Sequence, residues 1–96
     1  MILIPAFVPA PAKVIEDELQ ARAWTALDLA AQLEQPESFV TALLEAREVI
    51  SPVLALKLGA VFGTSAELWL GLENAYQLHL ARQNPQARVS SVVPPI

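Results

Sequence analysis

The amino-acid sequence predicts an all-α fold of five helices, with an extended arm at each end. Three observations carry the prediction. Apolar residues recur at helical spacing between about residues 12 and 82. Helix-start signals, a capping hydroxyl or a well-placed proline, interrupt that stretch at short intervals. The two ends lack the periodicity and are broken by prolines: Pro5 and Pro9 on one side, Pro85, Pro94 and Pro95 on the other. The chain therefore divides into an apolar arm (1–10), a helical domain (11–82) and a tail (83–96).

In the first helix Ile15, Leu19 and Ala23 fall at i, i+4 and i+8 and turn one face inward. Glu16, Asp17 and Glu18 lie on the polar face, near the start, where the helix dipole favours acids. Thr25 with Asp28 three residues on resembles a capping box. It opens a short second helix whose inward side is Ala26, Leu29, Ala30 and Leu33. Pro36 ends that segment and suits the first position of a third helix over 36–45, with Val40, Leu43 and Leu44 facing in. Ser51 and Pro52 start the fourth helix. Its stripe is Leu54, Leu58, Val61 and Phe62, and Gly63 stands where a left-handed cap belongs. Thr64 with Glu67 is a second capping box, opening a fifth helix that runs to about Arg82.

Ninety-six residues make one domain. With 54% hydrophobic and 17% charged residues, intrinsic disorder is excluded, and burial against another surface is favoured. Six Lys and Arg against ten Asp and Glu leave −4, which excludes a generally basic nucleic-acid coat but not a local patch. There are no cysteines, hence no disulfide and no thiolate ligand or nucleophile; this is compatible with a reducing cytosol. No apolar run approaches the ~20 residues of a membrane span. The first twelve residues carry no positive n-region, so they read as a mature arm rather than a signal peptide. Ile2, Leu3, Ile4, Phe7 and Val8 at one end, and Val89, Val92 and Val93 at the other, fit paired strands or flexible tails equally.

The second and third helices, joined by a turn at Glu34-Gln35, make a helix-turn-helix candidate. In that motif the second member projects its outer face into the major groove, while the first lies across the backbone. The later sequence adds a specific resemblance. Ile50-Ser51-Pro52, Ala55-Leu56-Lys57-Leu58 and the run from Phe62-Gly63-Thr64-Ser65 through Trp69-Leu70, Leu72, Tyr76 and Leu78 resemble the HigA/VapI antitoxins of the XRE helix-turn-helix group. Pro11 and Val14-Ile15-Glu16-Asp17-Glu18-Leu19 look like that family's opening helix. The resemblance implies a lambda-repressor-like domain in a cytoplasmic antitoxin. Such a protein dimerises, binds an operator in its own promoter and neutralises a partner toxin, usually an RNA-cleaving enzyme. On matching positions it implies DNA contacts from Thr25, Ser38, Thr41 and Arg47.

The reading region departs from the family pattern. Thr25-Ala26 stands where Ser-Gln is usual, Glu34 where the turn has glycine, and Glu45-Ala46 where Asn-Gly follows the third helix. Between positions 25 and 51 the acids are Asp28, Glu34, Glu37, Glu45 and Glu48, and the one base is Arg47. One base against five acids leaves −4, equal to the charge of the whole chain. This face cannot supply the ~6–10 phosphate contacts of a strong binder. Two readings follow. In one the chain is a weak or partner-assisted operator-binding autoregulator. In the other the same fold is a protein-interaction module that no longer reads DNA.

Individual residues carry bland readings beside the sharp ones. Phe39 fits a thymine methyl, a protein contact or partial burial. Arg47 fits a phosphate contact or an ion pair with a neighbouring glutamate. Ser38 and Thr41 fit base contacts or plain surface hydroxyls. Trp24, Trp69 and Tyr76 fit core packing, because no basic groove surrounds them. His79 falls among Leu68, Leu72, Ala75 and Tyr76 on a helical wheel, so it is expected in a packed core or interface. Leu70, Leu78 and Ala81, with Asn74 between, form a second apolar side of the fifth helix, opposite Leu68, Leu72 and Tyr76. That side is expected to meet a second subunit or a partner. No nucleophile–base set, glycine-rich phosphate loop or metal-ligand cluster supports an enzyme or a cofactor.

Overall fold

The architecture follows from how each helix starts and stops. A computed structural model describes residues 8–84. It contains α1 (Pro11–Arg22), α2 (Ala26–Leu33), α3 (Glu37–Leu44), α4 (Pro52–Phe62) and α5 (Ala66–Gln83), and no strand among the described residues. The apolar arm up to Phe7, the valines of the tail and Pro85, Pro94 and Pro95 lie outside the described residues.

Three starts are fixed by side-chain caps. The Thr25 hydroxyl accepts from the Asp28 N–H at 3.2 Å, and the Asp28 carboxylate accepts from the Thr25 N–H at 2.8 Å, completing a capping box. Ser51 caps α4 through Leu54 N–H, with Pro52 at the first helical position. Ser65, not Thr64, caps α5, accepting from Leu68 N–H at 3.1 Å. The Thr64 hydroxyl accepts from the indole Nε1–H of Trp69 at 2.7 Å instead. Pro36 is likewise one position earlier than expected: it caps α3 rather than opening it.

Helix ends turn through the left-handed region. Ala23 (φ 57°), Glu34 (φ 58°), Ala46 (φ 61°) and Gly63 (φ 73°) occupy it. At the first three turns a second N–H reaches back across the helix end: Trp24 to Leu19 O, Gln35 to Ala30 O, and Arg47 to Ala42 O. Only Gly63 adopts this conformation without a Cβ penalty. Ala23 therefore belongs to the turn and is exposed; the inward stripe of α1 is Pro11, Ile15 and Leu19. Glu16, Asp17 and Glu18 lie beyond the first turn, where they bind cations rather than the helix start: Glu16 and Asp17 pair with Lys13, and Glu18 with Arg22.

All five helices meet in one core, in which Ile15, Leu29, Leu33, Val40, Leu43, Leu58 and Trp69 are almost wholly buried. Side chains of this kind contribute about 1.5–3 kcal/mol each on burial. Trp24, Phe62 and Trp69 stack in a tilted series, with ring centroids 6.2 and 5.8 Å apart. The Arg22 guanidinium sits over Phe62 and donates to its carbonyl, tying the end of α1 to the end of α4. Gly59 lets α4 approach the α4–α5 turn, since a Cβ there would lie 2.7 Å from Thr64 O.

The inward face of α5 is rotated from the expected one. Trp69 and Glu73 are buried and Tyr76 is partly so, at i, i+4 and i+7, whereas Leu68 is 45% exposed. The last turns run past the core: Leu78 and Leu80 are exposed, and half-buried His79 meets the Gln83 amide at 3.2 Å. His79 is thus a helix-end side chain rather than part of the main core. No described helix is long and apolar enough to cross a membrane.

Candidate nucleic-acid interface

The α2–turn–α3 unit presents one side of α3 to solvent. Val40 and Leu43 anchor it inward, and Leu29, Ala30 and Leu33 hold α2 against the same core. This fixes the outer face: Glu37, Ser38, Thr41 and Glu45 are all exposed. Ser38 and Thr41 are one turn apart, so their hydroxyls rise from the same side of the helix. Phe39 is half-buried and packs on the core, so of its three readings partial burial is the one found. No side chain caps α3, which leaves backbone N–H groups at its start for other acceptors.

Thr25 is exposed at the N-terminus of α2, but its donors are engaged. Both its N–H and its hydroxyl point at the Asp28 carboxylate, at 2.8 and 3.1 Å. A carboxylate therefore occupies the position where a helix N-terminus would otherwise attract a phosphate. Arg47 lies in the loop after α3, and its Nε and Nη2 donate to Glu45 Oε1 at 2.9 and 2.6 Å. The ion-pair reading of Arg47 is the one found in the unbound chain. Both partners are more than half exposed, so the pair is weak and exchangeable.

One functional support was not anticipated from the sequence. Glu73 is buried on α5; its carboxylate accepts from Ile50 N–H at 3.0 Å and from the Gln77 amide at 2.6 Å. This ties the loop bearing Arg47 and Glu48, which follows α3, to α5. The place of Glu73 one turn after Trp69, on the side of α5 that Trp69 and Tyr76 share, is the signal that marks it as inward. Among the described residues no group of three His, Cys, Asp or Glu side chains could hold a metal ion.

No family model matches the chain. A curated relative, the uncharacterized HTH-type transcriptional regulator YddM of Escherichia coli K12, is 31% identical over 70 residues, 73% of this chain and 74% of that protein. Among solved structures, an addiction module antidote protein of a HigA family from Coxiella burnetii is 31% identical. It superposes with a TM-score of 0.82, covering 93% of this chain and 98% of the other. The chain belongs to the HigA family. A second HigA, the Pseudomonas aeruginosa antitoxin solved with the higBA promoter, is 25% identical, with a TM-score of 0.84 over 94% of this chain and 99% of its own. The fold is thus kept across these proteins, and in this chain Glu34, Glu37 and Glu45 lie on and around α3. These relatives are antitoxins and regulators rather than enzymes.

Proposed function

We propose that this HigA-family chain is a cytoplasmic antitoxin that binds its own promoter and neutralises a partner toxin, without enzymatic activity of its own. The observation that carries this reading is the outward face of α3, with Ser38 and Thr41 free to reach base edges, on a fold matching a HigA solved with promoter DNA. Ser38 and Thr41 read the major groove. Thr25 lies where the first helix crosses the sugar-phosphate backbone. Arg47 exchanges Glu45 for a phosphate on binding.

Partner contacts fall on α5. Leu70 is partly used against the core, so the free part of the stripe is Asn74, Leu78 and Ala81. The acidic reading side makes promoter affinity modest and places much of the discrimination in base contacts.

The test is fluorescence anisotropy of the full chain against a duplex from upstream of its own gene and a scrambled duplex, from low to physiological salt. Promoter binding at least tenfold tighter than scrambled is expected. The salt slope should be shallow, about −2 to −4 rather than the −5 to −9 of six to ten phosphate contacts. No binding at low salt by the folded protein would refute the DNA-binding part.

A further inference from the structure

Glu73 is the one buried acid among the described residues, at 7% exposure, and both of its oxygens are taken. Oε1 accepts from the Ile50 N–H at 3.0 Å and Oε2 from the Gln77 side-chain amide at 2.6 Å. An acid is costly to bury unless its oxygens are satisfied, so the carboxylate marks a place where the backbone of another element needs an acceptor. That backbone is the far end of the loop 45–51, which carries Arg47. The loop is not propped by packing along its length. Residues 45–49 are all exposed, and residues 46–50 border a cleft of about 80 Å³ together with Pro11, Leu43, Glu73, Tyr76 and Gln77. At the α3 end the chain turns through Ala46 at φ 61°, with the Arg47 N–H on Ala42 O at 2.8 Å. A residue with a Cβ in that conformation is strained and persists only where its surroundings hold it. The hold on the other side of Arg47 is the Glu73–Ile50 bond, three residues on, a span of about 10 Å at most.

We propose that Glu73 is a positioning residue for phosphate binding: by holding Ile50 it sets the loop so that the Arg47 guanidinium is presented to the DNA backbone. The inference rests on the operator-binding reading and adds to it a residue that touches no DNA. Arg47 is the single base between positions 25 and 51, so misplacing this one side chain forfeits that contact entirely. A loop already held in place binds without the ordering cost that a loose one meets on association. The Gln77 amide, one turn along α5, engages the second carboxylate oxygen and so keeps the first turned to Ile50. The sign of the effect separates this role from bare charge. Removing an acid near a phosphate contact would by Coulomb's law alone tighten DNA binding, whereas losing the hold on the loop weakens it.

The experiment is a double-mutant cycle on the full chain, read by anisotropy at 50 mM salt on the promoter duplex and a scrambled one. Wild type is titrated beside Glu73→Gln, Glu73→Leu, Arg47→Ala and the double variant Glu73→Leu/Arg47→Ala, each checked for helicity by circular dichroism. Glu73→Leu and Arg47→Ala are each expected to weaken binding about three- to tenfold, equally on both duplexes, as the loss of one phosphate contact does. The double variant should be no weaker than either single one, because both changes remove the same contact. Glu73→Gln keeps an acceptor for the Ile50 N–H and should bind within about twofold of wild type. If Glu73→Leu does not fold, Glu73→Asp takes its place in the cycle: it keeps the charge but draws the carboxylate back from Ile50. Losses that multiply in the double variant, or a folded Glu73→Leu that binds as tightly as wild type, would overturn the proposal alone. A wild type that binds neither duplex would overturn the operator reading and the proposal with it.

Discussion

Replacing Glu45 with glutamine should strengthen DNA binding, and by a salt-dependent amount. In the free chain Glu45 Oε1 accepts both Arg47 Nε and Nη2, at 2.9 and 2.6 Å, and Arg47 is the one cation between positions 25 and 51. The pair is exposed, so breaking it costs about 0–1 kcal/mol. Removing the carboxylate frees Arg47 and lifts a repulsion of about 0.5 kcal/mol, for a charge ~8 Å from a phosphate in water. In wild type the abandoned Glu45 carboxylate takes up a cation as Arg47 moves to phosphate; with glutamine there the same contact releases a counterion outright and steepens the slope of log K against log salt by up to about 0.9. Between 50 and 200 mM salt that contact alone is worth about a threefold change in affinity. Anisotropy titrations of wild type and Glu45→Gln on the same promoter duplex measure both quantities. Glu45→Gln is expected to bind about three- to tenfold tighter at 50 mM, with the steeper slope, and the advantage shrinks by 200 mM. An unchanged slope would show that Arg47 makes no phosphate contact, and the assignment would fall.

Three stability predictions follow from the core and its turns, each checked by thermal or urea unfolding. Thr64→Val removes the acceptor of the buried Trp69 indole and should cost about 1–3 kcal/mol, while Thr64→Ser should recover most of it. Gly59→Ala forces a Cβ to within 2.7 Å of a backbone carbonyl, so it should destabilise by about 1–3 kcal/mol despite the better helix propensity of alanine. Glu34→Gly should go the other way, stabilising by about 1 kcal/mol, because Glu34 is held at φ 58° where glycine is unstrained.

The five helices were legible because their boundaries are written in local chemistry: capping hydroxyls, Pro52 and Gly63 act within a few residues. Where two such signals adjoin, local chemistry is ambiguous. Thr64 and Ser65 are both competent caps, and the Trp69 indole takes Thr64, leaving the cap to Ser65. The orientation of α5 was less legible for a similar reason. Leucines at 68, 70, 72, 78 and 80 put apolar residues all round it, and tertiary contacts fix the rotation: Trp69 with Phe62 and Thr64, and Glu73 with Ile50. Glu73 was missed because an acid reads as solvent-facing until a backbone donor, here Ile50 N–H, is brought to it by tertiary structure. At the candidate site, Ser38 and Thr41 came from positions matching the family resemblance, and both are exposed on the outer side of α3. The engagement of Thr25 with Asp28 was foreshadowed by the capping box, and that of Arg47 with Glu45 by proximity in the chain. What periodicity could not supply is which neighbouring glutamate, Glu45 or Glu48, holds Arg47 in the free state; it is Glu45.

The central claim, that the outer face of α3 reads a specific promoter sequence, is tested most directly by one comparison. Ser38→Ala/Thr41→Ala is titrated beside wild type on the chain's own promoter duplex and on a scrambled duplex at fixed salt. Both hydroxyls are exposed, so the fold should be unaffected. The account predicts that the double variant loses about tenfold or more on the promoter, from roughly 1–3 kcal/mol of base discrimination, with scrambled binding unchanged. Equal affinities of variant and wild type for the promoter, or equal losses on both duplexes, would contradict it.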